Sequence, residues 1–176
     1  MSLNTHGNLI IGQSGGATAV INASLVGAME AAMKDTRIDG IYGMLHGIEG
    51  LLKEDIIDLR QEPADLWPGL LVTPSAALGS CRYKLLEDDP ERAIAILRRY
   101  DIHYMLYIGG NDSADTAHCL AQAAQHLDYD LQTISVPKTI DNDLPFTDHC
   151  PGYGSAARFI ALATIDSTMN TISIPW

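Results

Sequence analysis

The sequence is short of cations. Eleven Lys and Arg stand against 22 Asp and Glu, a formal net charge of −11. A nucleic-acid surface needs a basic patch, so no nucleic-acid partner is expected. Any polyanionic substrate must instead be met by a few locally placed cations. Cysteine is scarce as well. Cys81, Cys119 and Cys150 form no C-x-x-C pair, and an odd count without a signal peptide suggests free thiols in a reducing compartment. The six histidines are scattered without metal-ligand spacing to a Cys or Glu, so they read as surface or packing residues, His149 included. No apolar run is long enough to span a bilayer. The polar first eight residues resemble neither a signal peptide nor an anchor. A cytoplasmic protein with no membrane partner is expected. There is no repeat, linker or low-complexity stretch. Two phosphate-binding fingerprints are also missing: the Walker A motif and the dinucleotide motif G-x-G-x-x-G.

What remains is an ordinary globular composition. A hydrophobic fraction of 47% over 176 residues suits one domain, or part of a larger protein. Short apolar runs alternate with helical periods. Residues 8–12, 40–44, 103–108 and 131–136 read as strands, the last of them buried. A helix is expected from about Ala19, with Ile21, Leu25, Ala28 and Ala32 on one face. Residues 46–51 suggest a turn and a short helix. Residues 55–67 have no clean period, apart from a candidate edge strand over 56–59. Residues 89–100 form a helix that Pro90 suits in its first turn; Ile94, Leu97 and Tyr100 face inward, and Arg92, Arg98 and Arg99 mostly outward. Ala117, Leu120, Ala121, Ala124 and Leu127 mark another helix. Ala156, Phe159, Ile160 and Ala163 mark the last, over 155–170. This alternation predicts an α/β fold of three layers, a mostly parallel sheet with helices on both faces.

Four loops carry candidate chemistry. Gly15 and Gly16 lie in a small-residue turn between strand and helix. That geometry offers backbone N–H groups to an anion, although a plain tight turn explains the glycines equally well. Leu78-Gly79-Ser80-Cys81-Arg82 sets one Arg among small residues. Its guanidinium fork matches phosphate oxygens, but a solvated surface loop is the commoner meaning of such a segment by itself. In Gly109-Gly110-Asn111-Asp112-Ser113, helix capping accounts for one polar residue and leaves the paired glycines unexplained. Lys138-Thr139-Ile140-Asp141-Asn142-Asp143 follows a strand end. In extended chain Asp141 and Asp143 would share a face. A carboxylate base, a second carboxylate and a cation make a kit for phosphoryl transfer; a solvated turn is the plain alternative. Three of these loops fall at strand carboxyl ends, where ligands bind in open α/β sheets.

In this order, over residues 8–170, the four segments resemble the motifs of the phosphofructokinases. Residues 137–143 match the family's Pro-[Gly/Lys]-Thr-Ile-Asp-Asn-Asp signature. Asp112 and Lys138 resemble the pyrophosphate-dependent branch, since ATP users carry Gly at the first position and usually at the second. A carboxylate at 112 would occupy the space of a nucleotide's α-phosphate. The resemblance implies a Rossmann-like, phosphofructokinase-type fold. It implies the glycolytic reaction of diphosphate with D-fructose 6-phosphate to give phosphate and D-fructose 1,6-bisphosphate. Asp141 would be the general base on the sugar C1 hydroxyl, and Arg82 would stabilise the transferred phosphoryl group. Lys138 would serve the pyrophosphate, and Gly15 and Gly16 would lie against it. Thr139 would contact the hexose phosphate with support from Asp143. Mg²⁺ would sit near Asn111, where many members carry Asp; an amide oxygen can ligate it without adding charge. A dimer or tetramer is implied. An ATP-dependent enzyme, an inactive fragment and a regulatory subunit stay open as alternatives. Residues 1–176 would correspond to an N-terminal, phosphoryl-donor domain. The family's Met-Gly-Arg motif and hexose-phosphate clamp, which belong to a following domain, are not found here, so uncovered apolar surface is expected.

Overall fold

The computed structural model describes residues 6–174. The first five residues of the polar N-terminal stretch and the final two residues lie outside it. Strand β1 (Gly7–Gln13) is followed by α1 (Ile21–Ala32), β2 (Ile38–Met44), α2 (Gly47–Lys53) and β3 (Ile56–Asp58). After a 3₁₀ turn come α3 (Leu66–Leu71), α4 (Asp89–Arg99), β4 (Ile102–Gly109), α5 (Asn111–His126), β5 (Gln132–Pro137) and α6 (Tyr153–Ser173). The strands form one sheet in the order β3-β2-β1-β4-β5. β2, β1, β4 and β5 run parallel, while the short edge strand β3 is antiparallel.

Strand β1 explains the layering. Its side chains alternate across the sheet. Ile10 packs with α2, α4 and α5 through Ile48, Leu97 and Leu120. Leu9 and Ile11 pack on the other face against Ile21, Leu25 and Met29 of α1. Both faces of β1 are therefore apolar and covered, as a central parallel strand requires. The expected three-layer architecture is present. Because β1 lies between β2 and β4, the chain winds outward in both directions from it. The carboxyl ends of β1 and β4 thus flank a switch point of the kind that holds ligands in such sheets.

Several expectations need correction. The strand expected over 131–136 to be buried is the sheet's outer edge, and Ile134 is 58% exposed. An apolar run records side-chain type and not which face finds a partner. Residues 66–71, left without an element, form α3 despite Pro68. Proline is tolerated in a first turn, where its missing N–H has no intrahelical partner anyway. Asn111, Asp112 and Ser113 do not cap α5, because Gly110 is the capping residue and those three make the first helical turn.

Helix α6 buries no residue. Phe159, Ile160, Ile165, Met169 and Ile172 are all exposed, as is the apolar Leu162 between them. A helix apolar on several faces is ordinarily enclosed. No helix among the described residues is long and apolar enough to cross a membrane.

Two glycines separate steric need from helix propensity. A Cβ on Gly50 in α2 would lie 1.5 Å from the Leu45 carbonyl oxygen. A Cβ on Gly27 in α1 would meet nothing within 4 Å. Gly50→Ala should therefore lose about 3 kcal/mol or more, the upper end for overpacking. Gly27→Ala should gain about 0.5–1 kcal/mol. Urea unfolding of the two variants checks both signs.

Candidate active site

The carboxyl ends of β1, β4 and β5 open into one cavity of about 680 Å³. Gly15, Gly16, Arg82, Asn111, Asp112, Lys138, Thr139, Asp141 and Asp143 all line it. The four loops named from the sequence therefore converge on one place. Their parts of the chain lie up to 128 residues apart, from Gly15 to Asp143. Ser14, Thr18, Lys84, Asp115 and Thr116 line the same cavity and were not singled out from the sequence.

Lys138 is the most unusual group. It follows β5 directly, and its backbone N–H donates to the Gly109 carbonyl at 2.9 Å. That bond extends the β4–β5 ladder by one step and turns the side chain's root inward. The residue is only 5% exposed. Its ammonium has no hydrogen bond or ion pair to another side chain among the described residues. Withdrawal from water lowers its pKa, nearby Arg82 lowers it further, and Asp141 partly restores it. A largely buried cation without a hydrogen-bonded partner favours an anion beside it. Gly15 is shaped around it. With φ at +76° the residue is left-handed, and a Cβ there would stand 3.1 Å from Lys138 Nζ. Only glycine avoids both penalties.

The Asp-Asn-Asp stretch is not extended. Asn142 is left-handed, with φ 54°, a region Asn enters more readily than most residues. Its side chain ties the following loop in two places. Nδ2 donates to the Asp148 carbonyl at 3.3 Å, and Oδ1 accepts from Cys150 N–H at 2.9 Å. The flanking carboxylates are thereby given separate environments instead of a common face. Asp143 accepts from Asn111 Nδ2 at 2.8 Å and from Thr139 Oγ1 at 3.1 Å. Thr139 is buried, and its hydroxyl also accepts from the Asp141 N–H at 3.1 Å. Asp143 thus braces β5's exit against the start of α5. Asp141 is exposed to the cavity, with its carboxylate unpaired among the described residues.

The first turn of α5 presents Asn111 and Asp112 to the cavity. A Cβ on Gly109 would collide with Ser113 at 2.1 Å, which is why the strand can pass so tightly into the helix. The helix's positive end faces the cavity and favours an anion there. Asn111 spends Nδ2 on Asp143 and keeps Oδ1 unpartnered among the described residues. No group of three His, Cys, Asp or Glu could hold a metal among those residues. The oxygens of Asn111 and Asp112 suit a hard cation that takes one or two protein oxygens and completes its shell from phosphate and water, which is Mg²⁺ behaviour.

Arg82 sits on a loop with no regular structure of its own, yet that loop is well tied. Gly15 N–H and Ser14 Oγ both donate to the Cys81 carbonyl at 3.3 Å. Ser80 Oγ donates to the Gly15 carbonyl at 2.5 Å. Beyond Arg82, Tyr83 donates to Asp89 at 2.7 Å. Tyr107 of β4 approaches Cys81 at 4.0 Å and accepts from Ile48 N–H at 3.1 Å; burial pushes its phenol up to about 12. Gln13 and Asn22 complete this scaffold from below. Gln13 was not singled out from the sequence. The available signal was a polar residue at the end of an apolar strand, and another inside an apolar helix face.

The Phosphofructokinase family pattern matches residues 8–173. Two bacterial relatives are each named pyrophosphate–fructose 6-phosphate 1-phosphotransferase. The one from Methylococcus capsulatus is 47% identical over 95% of this chain and 41% of its own length. The one from Halomonas elongata is 46% identical over the same shares. The crystal structure of a pyrophosphate-dependent phosphofructokinase from Nitrosospira multiformis superposes with a TM-score of 0.88 at 48% identity, covering 93% of this chain and 42% of that one. The chain thus spans about two-fifths of the length of these relatives.

The buried ammonium gives a signed test. Lys138 binds its proton less tightly in the folded state than in the unfolded chain, so its charge destabilises the fold at neutral pH. That cost fades as pH climbs through the lowered folded value toward the usual lysine range. Lys138→Met should therefore melt above the parent at pH 7, with the gap closing as pH rises. In saturating inorganic phosphate the order should reverse, because only the parent gains from binding. Thermal melts across pH, with and without phosphate, check the prediction.

Proposed function

The chain belongs to the phosphofructokinase family, and on that premise we propose that residues 1–176 form the phosphoryl-donor portion of a pyrophosphate-dependent 6-phosphofructokinase. The substrates are diphosphate and D-fructose 6-phosphate, and the products are phosphate and D-fructose 1,6-bisphosphate. The observation that carries this reading is the pairing of Lys138 with Asp112 in one cavity. Lys138 supplies a nearly buried cation for an anion that has no adenosine part to contribute binding. Asp112, in the first turn of α5, places negative charge and bulk where a nucleotide's α-phosphate would have to lie.

The proposed division of labour is supported by the geometry. Pyrophosphate lies over Gly15, Gly16 and the α5 N-terminus, within reach of Lys138 and Arg82. Gly16 leaves open space above its backbone, so phosphate oxygens can approach the N–H groups closely. The C1 hydroxyl of the hexose attacks the nearer phosphorus. Its proton passes to Asp141, a new C–O–P bond forms, and the bond to the departing phosphate breaks. Asp141 is suited to this because its neighbour Asp143 takes the structural hydrogen bonds and leaves the base unencumbered. Arg82 and Lys138 meet the charge that spreads over the phosphoryl oxygens. Mg²⁺, held by Asn111 and Asp112 together with the phosphates, would neutralise part of the donor charge. Thr139, which is buried and bonded to Asp143, shapes the floor on which the hexose phosphate approaches. Contacts that clamp the rest of the hexose phosphate come from outside this set. A homo-oligomer and a cytoplasmic location complete the proposal.

Calorimetric titration tests the donor assignment on the chain itself. With Mg²⁺ present, pyrophosphate should bind and ATP should not. Asp112→Gly should admit ATP. Tight ATP binding by the unmutated chain, without pyrophosphate binding, would overturn the assignment.

In the catalytically active protein that contains these residues, Asp141→Asn should lower turnover about 10²–10⁴-fold, the usual worth of a positioned base. Pyrophosphate affinity should stay near the parental value. Steady-state kinetics with pyrophosphate and fructose 6-phosphate checks this.

A further inference from the structure

Gln13 and Asn22 are among the most deeply buried polar side chains in the protein, at 0% and 1% exposure. Neither touches the cavity. Buried amides are costly unless every group is satisfied, and here three of the five bonds go to one segment. Gln13 Oε1 accepts from Leu78 N–H at 2.8 Å. Asn22 Oδ1 accepts from Ala77 N–H at 2.8 Å, and its Nδ2 donates to the Thr73 carbonyl at 2.9 Å. Gln13 Nε2 links the two amides by donating to Asn22 Oδ1 at 3.1 Å, and it also donates to the Ile21 carbonyl at 3.1 Å. The pair therefore substitutes for a missing strand partner. It gives residues 73–78, which have no ladder of their own, a set of backbone hydrogen bonds.

That segment leads straight to Arg82. Downstream the Cys81 carbonyl is gripped by Ser14 and Gly15, and Tyr83 by Asp89. Arg82 itself is exposed and makes no hydrogen bond or ion pair among the described residues. Its position relative to Gly15 and Lys138 is set wholly by the tethers on either side. A primary amide offers two N–H donors and a carbonyl acceptor on one flat group, which is the set these bonds use. Glu, Asp or an aliphatic residue of the same size could serve at most half of these bonds.

We infer that Gln13 and Asn22 are positioning residues for phosphoryl transfer: they hold the 73–82 segment so that Arg82 faces the phosphate bound over Gly15. This rests on the reading of the cavity as a pyrophosphate site. The amides carry no charge to the ligand and touch none of its atoms. They act by removing the motion of the loop before the anion arrives, which saves ordering cost on binding.

The test is a double-mutant cycle on pyrophosphate affinity, measured by calorimetry in Mg²⁺ with the chain as it stands. Arg82→Ala should weaken binding about ten- to a hundredfold, the worth of a hydrogen bond to a charged group. Gln13→Met, of similar volume and without an amide, should lose most of the same factor although it lies outside the cavity. The double variant should be no more than about twofold weaker than Arg82→Ala, because Arg82 no longer contributes once its loop is loose. A merely structural role for Gln13 predicts instead that the two losses multiply, and that result would overturn the proposal. Asn22→Ser provides a milder second arm. It leaves the Gln13–Leu78 bond in place and should give a smaller loss with the same non-additivity, should Gln13→Met fail to fold. If Arg82→Ala leaves affinity unchanged while the parent binds pyrophosphate, the role given to Arg82 fails and this inference with it. A parent that does not bind pyrophosphate at all overturns the functional reading on which both depend.

Discussion

Strands β1 and β4 each pair in parallel with two neighbours. β1 is covered by helices on both faces, while β4 is buried on the Met105 and Tyr107 face and only partly covered at Tyr104 and Leu106 on the other. Parallel pairing forces every return crossing to run through a helix or long loop on one face or the other. All the strands of that set therefore point the same way, and their loops emerge at one end. The cavity is a consequence of this constraint. It opens between the ends of β1 and β4, because the chain leaves β1 toward β2 and leaves β4 toward β5, in opposite directions. Without the apolar alternation of Leu9, Ile10 and Ile11, no common end would exist for the glycines, Arg82 and Lys138 to share.

The site then solves an electrostatic problem set by composition. On the proposed reading, an acidic protein with few cations has to attract an anion carrying several charges. It places Lys138 where water is largely excluded, so one ammonium acts in a medium that screens it poorly. The helix end of α5 adds a partial positive charge from backbone alone. Asp143 is engaged by its two hydrogen bonds, while the Asp141 carboxylate makes none among the described residues. Two carboxylates of the same motif thus receive different tasks from their surroundings.

The core elements were legible because their signals are local. A strand such as β1 is short, apolar and closed by a small-residue turn, and α4 announces itself with Pro90 and a clear inward stripe of Ile94 and Leu97. The errors have a common cause. Ile134 is apolar but exposed because β5 is the last strand of the sheet, and strand order is not a local property. The exposed apolar length of α6 is the same matter on a larger scale. Asp141 and Asp143 were expected to share a face if the chain were extended; left-handed Asn142 breaks that extension, and both still line the one cavity. Gln13 was missed because a glutamine has meaning there only once the 73–78 segment lies beside it, some 60 residues later in the chain.

The sequence by itself determined which residue types were available at strand ends, and with them the chemistry the protein could perform: a base, a few cations, glycines beside an anion path. It also determined the layering, since hydrophobic period and chain direction follow from side-chain alternation and crossover handedness. Tertiary structure decided the rest. It chose which of two nearly identical aspartates would be braced and which free, because that depends on the approach of Asn111 across 32 residues. It set the depressed pKa of Lys138, because desolvation is created by neighbours and has no counterpart in the unfolded chain. And it tied residues 73–78 to the buried amides of Gln13 and Asn22, since a segment without its own hydrogen-bond ladder takes its shape only from what it packs against.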